Sequence, residues 1–206
     1  MMTFKEYPNL VIAGVWNLGI LTPQWYAKEF PDLIKQKEFS SVEIEIGTGA
    51  LKFPIENIVI NPSPGKLIFF SQNEDASKFE LIEKLAAGTV EKLPHTPIIA
   101  LGHNISYFID EKKFKLFESD MLDKCEDFYK NEAAISAFNS QKIIHSLSFE
   151  NFTLNLTYEF SRKKNSVSFN YHYEVSSIDK IKEYILDFRK NIKNTEAFMT
   201  KIIGEQ

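Results

Sequence analysis

The sequence predicts an α+β fold: two tandem βαβββα units whose strands form a curved antiparallel sheet, with helices packed on one face in a pseudo-duplicated, saddle-like topology. Three observations carry this reading. Val11-Ile12-Ala13 followed by Asn17 recurs as Ile98-Ile99-Ala100 followed by Asn104, with no gap between the matched positions. Each copy is followed by a helix-like stretch, three strand-like runs and an amphipathic helix. Strand runs separated by single helices, without regular β-α-β-α alternation, separate α+β folds from doubly wound ones. Residues 1–206 are therefore expected to form one pseudo-symmetric domain, with units at 1–95 and 96–206.

The first unit opens with Asn9–Leu21, apolar at nearly every position, as suits a strand buried on both faces. Thr22-Pro23 reads as an N-cap followed by proline at the first helical position, and Pro31 ends that helix. Val42, Ile44 and Ile46 alternate with Ser41, Glu43 and Glu45, a half-buried strand. Gly47-Thr48-Gly49 then makes a hairpin turn. Strands over Leu51–Asn61 and Lys66–Ser71 follow, joined by the turn chemistry of Pro62-Ser63-Pro64-Gly65. Asp75 caps a helix to Leu93 with Phe79, Ile82, Leu85, Ala86 and Leu93 on one side.

The second unit repeats the order. Pro97–Ile109 is its long strand, and Phe114, Phe117, Met121, Cys125 and Phe128 stripe a helical region that extends to Ile135 and Phe138. Strands over Ile143–Phe149, Phe152–Phe160 and Val167–Val175 follow. Ser176 with Asp179 starts a helix lined by Ile181, Ile185, Phe188 and Ile192, and Thr195 caps a last short helix carrying Phe198 and Ile202. In element order alone, this resembles the duplicated saddle of the TATA-box-binding protein fold or the tandem units of sliding-clamp domains. The sequence motifs of both families are lacking, and a shared topology does not carry function.

Composition narrows the function classes. Of 206 residues, 44% are hydrophobic and 25% charged, with eighteen Phe and eight Tyr, so a large aromatic core can be buried. A net charge of −4 and only two arginines, Arg162 and Arg189, argue against nucleic acid and phosphate recognition. Cys125 stands alone, which leaves no intramolecular disulfide and no thiolate metal cluster. Lys5, Glu6, Tyr7 and Pro8 interrupt any signal-peptide pattern, and no run reaches the length of a membrane span. A cytoplasmic protein without membrane contact is expected.

Strand parity decides among candidate sites. His103 shares a face with Leu101, Ile105 and Tyr107, and His145 with Ile143 and Leu147. His172 lies on the polar face with Asn170 and Glu174. Side chains that leave a strand in opposite directions cannot share one metal, so no metal and no cofactor is expected. Cys125 on an apolar stripe reads as a small hydrophobe, and Glu43 and Glu45 read as a solvated strand face. Two surface features remain. Short neutral side chains, among them Thr153, Asn155, Thr157, Ser168, Asn170 and His172, make a face suited to recognition. Ile68 and Phe70 point away from the helix-covered side and call for a partner. The functional expectation is a non-catalytic binding or assembly protein that presents its open sheet face to a protein partner or to itself. Asn155, Thr157, Asn170 and His172 would serve recognition, and Ile68 and Phe70 association. The alternative is a small-molecule binder or enzyme with a cleft between the units near Asn17, Asn104 and His103.

Overall fold

The computed structural model describes residues 3–36, 39, 41–73, 75–109, 124, 127, 139–162, 164–175 and 177–203. Apart from Lys124 and Asp127, the helical region expected around Phe114–Phe138, with Cys125, lies outside the described residues. The elements are β1 (Thr3–Gly14), α1 (Pro23–Glu29), β2 (Glu43–Ile44), β3 (Leu51–Ile55), β4 (Ile58–Ser63), β5 (Lys66–Ser71), α2 (Ala76–Lys92), β6 (Ile98–Ile109), β7 (Ser140–Ser148), β8 (Thr153–Ser161), β9 (Asn165–Glu174), α3 (Ile178–Leu186) and α4 (Phe188–Ile203). The nine strands form a single open antiparallel sheet in the order β2-β3-β4-β5-β1-β6-β9-β8-β7.

The two longest apolar strands, β1 and β6, lie side by side at the centre, with Leu10 opposite His103 and Ile12 opposite Leu101. Alternation then sends one set of side chains from β1, β3, β4, β5, β6, β8 and β9 to the helix side. Leu10, Ile12, Phe53, Phe69, Ile105, Leu156 and Phe169 are all buried there. The helices close over this face. Tyr26 of α1 packs against Phe53 and Phe69, and Phe79 of α2 meets Phe188 of α4 edge-on at 6.0 Å. Glu83 on α2, buried, accepts from the backbone N–H and the Nε of Arg189 at 2.8 and 2.6 Å and ties α2 to the first turn of α4.

The capping signals form as expected. Thr22 Oγ1 accepts from the Trp25 N–H with Pro23 in the first turn, and Asp75 caps α2 through the Ser77 N–H. Several expectations need correction. Leu51–Asn61 is a hairpin, not one strand. Glu56 and Asn57, with φ of 52° and 65°, turn the chain between β3 and β4. Two consecutive left-handed residues match the twist of the flanking strands. This turn pairs Ile55 with Ile58, so Phe53, Ile55, Ile58 and Ile60 all face the core, where a continuous strand would have sent Ile55 and Ile58 to opposite faces. The 41–46 segment contributes only the two-residue edge strand β2, and Ile44 and Ile46 are solvent-exposed. The N-cap of α3 is Ser177, a break at Asp187 separates α3 from α4, and Thr195 lies buried inside α4 and caps nothing. Its hydroxyl bonds back to the Asn191 carbonyl, which frees it from any capping role.

The matched Asn17 and Asn104 do not occupy equivalent strand positions. Asn104 sits in the middle of β6, whereas Asn17 lies past the end of β1, where its side chain accepts from the Gly19 N–H.

The approach of α2 to α1 depends on Gly88, where an added Cβ would lie 2.4 Å from Cε1 of the buried Phe30. An interior helical Gly→Ala change ordinarily stabilises by about 1 kcal/mol. Here the sign reverses: Gly88→Ala is expected to destabilise by about 1–3 kcal/mol through overpacking. Phe30→Leu in the same chain is expected to recover part of the loss, as read by the denaturation midpoint.

Candidate functional site: the sheet face away from the described helices

Because every core-facing residue alternates with one pointing away, the far side of the sheet is a surface made of one residue from each strand per row. The register joins these into rows. One runs Ser146, Asn155, Asn170, Asn104, Asn9, Phe70, Val59, Pro54 across β7, β8, β9, β6, β1, β5, β4 and β3. The next runs Ser148, Thr153, His172, Gly102, Val11, Ile68, Asn61. Neither row holds an Asp, Glu, Lys or Arg.

The polar half of the first row is hydrogen-bonded end to end. Ser146 Oγ donates to Asn155 Oδ1 at 2.9 Å, and Asn155 Nδ2 to Asn170 Oδ1 at 3.3 Å. Asn170 Nδ2 then donates to Asn104 Oδ1 at 2.7 Å, and Asn104 Nδ2 to Asn9 Oδ1 at 2.8 Å. Every donor points from β7 toward β1, so the amide dipoles align and each bond polarises the next. Each inner asparagine spends one N–H and one lone pair on the ladder. Its second N–H and second lone pair take no side-chain partner among the described residues and can serve a docking group. A parallel row adds Ser106 Oγ donating to Ser168 Oγ at 2.9 Å, with Thr157 opposite Ser168. Gly102, without a side chain, leaves a notch between Val11 and His172. A Cβ there would come within 3.4 Å of Asn170 Nδ2.

Beyond Asn9 the same rows become apolar. Val11, Ile68 and Phe70 are half-buried and Val59 is buried. The face thus pairs an uncharged hydrogen-bonding half with a hydrophobic half. Charges lie outside these two rows: Glu174 and Lys66 stand in the rows beyond them, and Glu159 takes Lys5 at 2.8 Å and Lys142 at 3.6 Å. Lys5 holds the Glu159 carboxyl below its ordinary range.

Asn155, Thr157, Asn170 and His172 share this face with Ile68 and Phe70, as sequence parity places them. Asn9 and Ser146, the two ends of the ladder, escape sequence analysis because only strand pairing reveals them. Asn104 belongs to the ladder. β1 and β6 are hydrogen-bonded neighbours, and His103 and Asn104 leave β6 on opposite faces. Asn17 is brought to neither.

His103 instead anchors α4 beneath the sheet. Its ring lies 5.2 Å from both Tyr173 and Phe188, and its Nδ1 accepts from Asn191 Nδ2 at 3.0 Å. The same Nδ2 donates to the Tyr173 hydroxyl at 2.6 Å, and Tyr171 and Thr195 share a 2.9 Å hydrogen bond nearby. His103 Nε2 has no hydrogen-bond partner among the described residues. Full burial drives the imidazole pKa from 6.5 down to about 3 and keeps the ring neutral. Of the other histidines, His145 lies against Tyr158 on edge strand β7 and His95 is exposed. Among the described residues, no three His, Cys, Asp or Glu side chains are placed to hold a metal ion, and no helix is long and apolar enough to cross a membrane.

No family model matches this chain, and no curated protein is similar to it.

Two predictions follow from these geometries. The unfolded chain protonates its imidazole near pH 6.5, whereas the folded one resists until about pH 3. Stability from His103 is therefore complete above pH 6.5 and is lost as pH falls through that window, by on the order of 5 kcal/mol at its limit. His103→Phe is expected to flatten the stability–pH slope between pH 6.5 and 4, as read by urea titrations. Asn104→Ala cuts the ladder at its centre and is expected to cost about 1 kcal/mol, because water reaches the half-buried amides it leaves. Backbone amide exchange in β1 and β9 would report the loss locally.

Proposed function

We propose that this chain is a non-catalytic binding or assembly protein whose open sheet face docks another protein, a second copy of the chain in the simplest case. The observation that carries this reading is the pair of charge-free rows. Protein–protein contact centres are depleted of charged side chains, and a contiguous apolar strip beside hydrogen-bonding groups marks a surface built to be covered. Val11, Ile68 and Phe70 supply association energy, at about 1.5–3 kcal/mol for each large side chain fully removed from water. Asn155, Thr157, Asn170 and His172, with Asn9, Asn104 and Ser146, supply directional recognition that fixes orientation.

The chain reads as two tandem units meeting at β1 and β6. Outward from that pair, β5, β4 and β3 on one side and β9, β8 and β7 on the other follow in the same order of antiparallel neighbours. Net charge of −4 and the scarcity of arginine favour protein over nucleic acid as partner. We place the protein in the cytoplasm on the same composition, its single cysteine included.

Phe70→Glu puts a charge at the centre of the apolar strip without touching the core. Light scattering across a concentration series is expected to give a concentration-dependent assembly for the natural sequence and a monomer for Phe70→Glu, with unchanged far-ultraviolet circular dichroism. A native mass unaffected by the substitution contradicts the proposal.

A further inference from the structure

Where β9 runs into α3, the sheet ends in a pocket of about 320 Å³ lined by Phe149, Glu150, Phe152, His172, Glu174 and Tyr184. His172 and Glu174 reach it from the open face, and Tyr184 from α3. We infer that this pocket receives the lysine or arginine side chain of a protein segment lying on the open face, an inference that rests on reading that face as protein-binding.

Three features point to a cation. First, three aromatic side chains, Phe149, Phe152 and Tyr184, stand among the mostly polar groups that line it. Phe149 and Phe152 stack at 4.6 Å across the β7–β8 loop, closed by the Phe149 N–H donating to the Phe152 carbonyl at 2.9 Å. Tyr184 is fixed by stacking on Tyr173 at 4.6 Å. Phe149 is 52% exposed, so a ring is held at the rim with nothing above it among the described residues. Ring faces attract ammonium and guanidinium groups. Second, Glu150 and Glu174, both exposed, form no direct salt bridge among the described residues, so two carboxylates at the mouth keep their oxygens open to an arriving cation. Third, the chain's own Lys180 illustrates the chemistry. Its ammonium lies 5.9 Å from the Tyr184 ring centroid, pairs with Glu183 at 2.8 Å and also lies within the field of Glu150. A metal ion is a poorer occupant, since no set of three ligating side chains converges among the described residues.

His172 stands beside Gly102 and Thr153 in the row next to the asparagine ladder. An extended segment bonded to the ladder can therefore place a long basic side chain over the end of β9. The pocket then sets the register of the segment, and the ladder sets its direction.

The test is a nuclear magnetic resonance titration of the whole chain with a blocked pentapeptide, Ala-Thr-Arg-Thr-Ala, with the same peptide carrying norleucine at its centre, and with arginine amide. The arginine peptide is expected to give saturable shifts at Thr153 and His172 that the norleucine peptide does not. Added salt is expected to weaken them. Glu150→Gln combined with Glu174→Gln, both outside the core, is expected to raise the dissociation constant about tenfold or more, equivalent to about 1.4 kcal/mol. Equal binding of the norleucine peptide, an unaffected double variant, or no saturable shift would overturn the inference. Arginine amide binding as tightly as the peptide would overturn the assignment to a protein segment and make this a small-molecule cation site. The titration reads the pocket and the native mass of Phe70→Glu reads the apolar strip, so either reading can fail visibly without the other.

Discussion

The pairing of β1 with β6 is the constraint on which the rest depends. Over Asn9–Ala13 and Ala100–Asn104 both strands are flanked on each side, so their backbone groups there are spent within the sheet, and their register fixes which side chains face the helices. Setting Leu10 against His103 and Ile12 against Leu101 turns Asn9 toward Asn104 on the other side. A slip of one residue would drive Asn104 into the core and expose Leu101 or Ile105, because strand side chains alternate with a period of two. The hydrophobic core and the asparagine ladder are therefore one decision seen from two faces.

Consecutive residues of β6 show how the two environments divide the work. His103 is buried against Phe188 and Tyr173, and the low dielectric keeps it neutral and makes it a hydrogen-bond acceptor for Asn191. Asn104, one residue on, meets a half-solvated surface where an uncharged amide can bond to its neighbours on either strand and still offer groups to a partner. Below the sheet, polar groups hold α4 in place. Above it, similar groups are arranged in the open. Burial by an arriving surface would strengthen the ladder, since hydrogen bonds gain strength as water is excluded.

Much of the architecture was legible in the sequence. The alternation in β8 and β9 is strict, with Leu154, Leu156, Tyr158 and Phe160 inward and Asn155 and Thr157 outward, and parity alone assigned these faces. Thr22-Pro23 and Asp75 marked helix starts through side-chain chemistry that acts within one turn. The failures share a cause: they depend on contacts distant in sequence. Glu56-Asn57 carries no glycine, so the β3–β4 turn is visible only once Ile55 and Ile58 are seen to need the same face. Thr195 looks like a cap locally and becomes an interior helical residue because Tyr171, on a strand, gives its hydroxyl a partner. Val42, Ile44 and Ile46 alternate like a half-buried strand, yet at the sheet edge no helix lies over them. The ladder needed four asparagines and a serine from five strands, aligned by a register that no local pattern encodes.

The central claim is that a protein covers the open face. Side-chain footprinting with a freely diffusing carbene, at low and high protein concentration, tests it most directly. The account predicts that Val11, Ile68 and Phe70 lose reactivity as concentration rises while the exposed Val15 and Leu186 keep theirs. Unchanged reactivity of the apolar strip, or protection confined to the helix side, would contradict it.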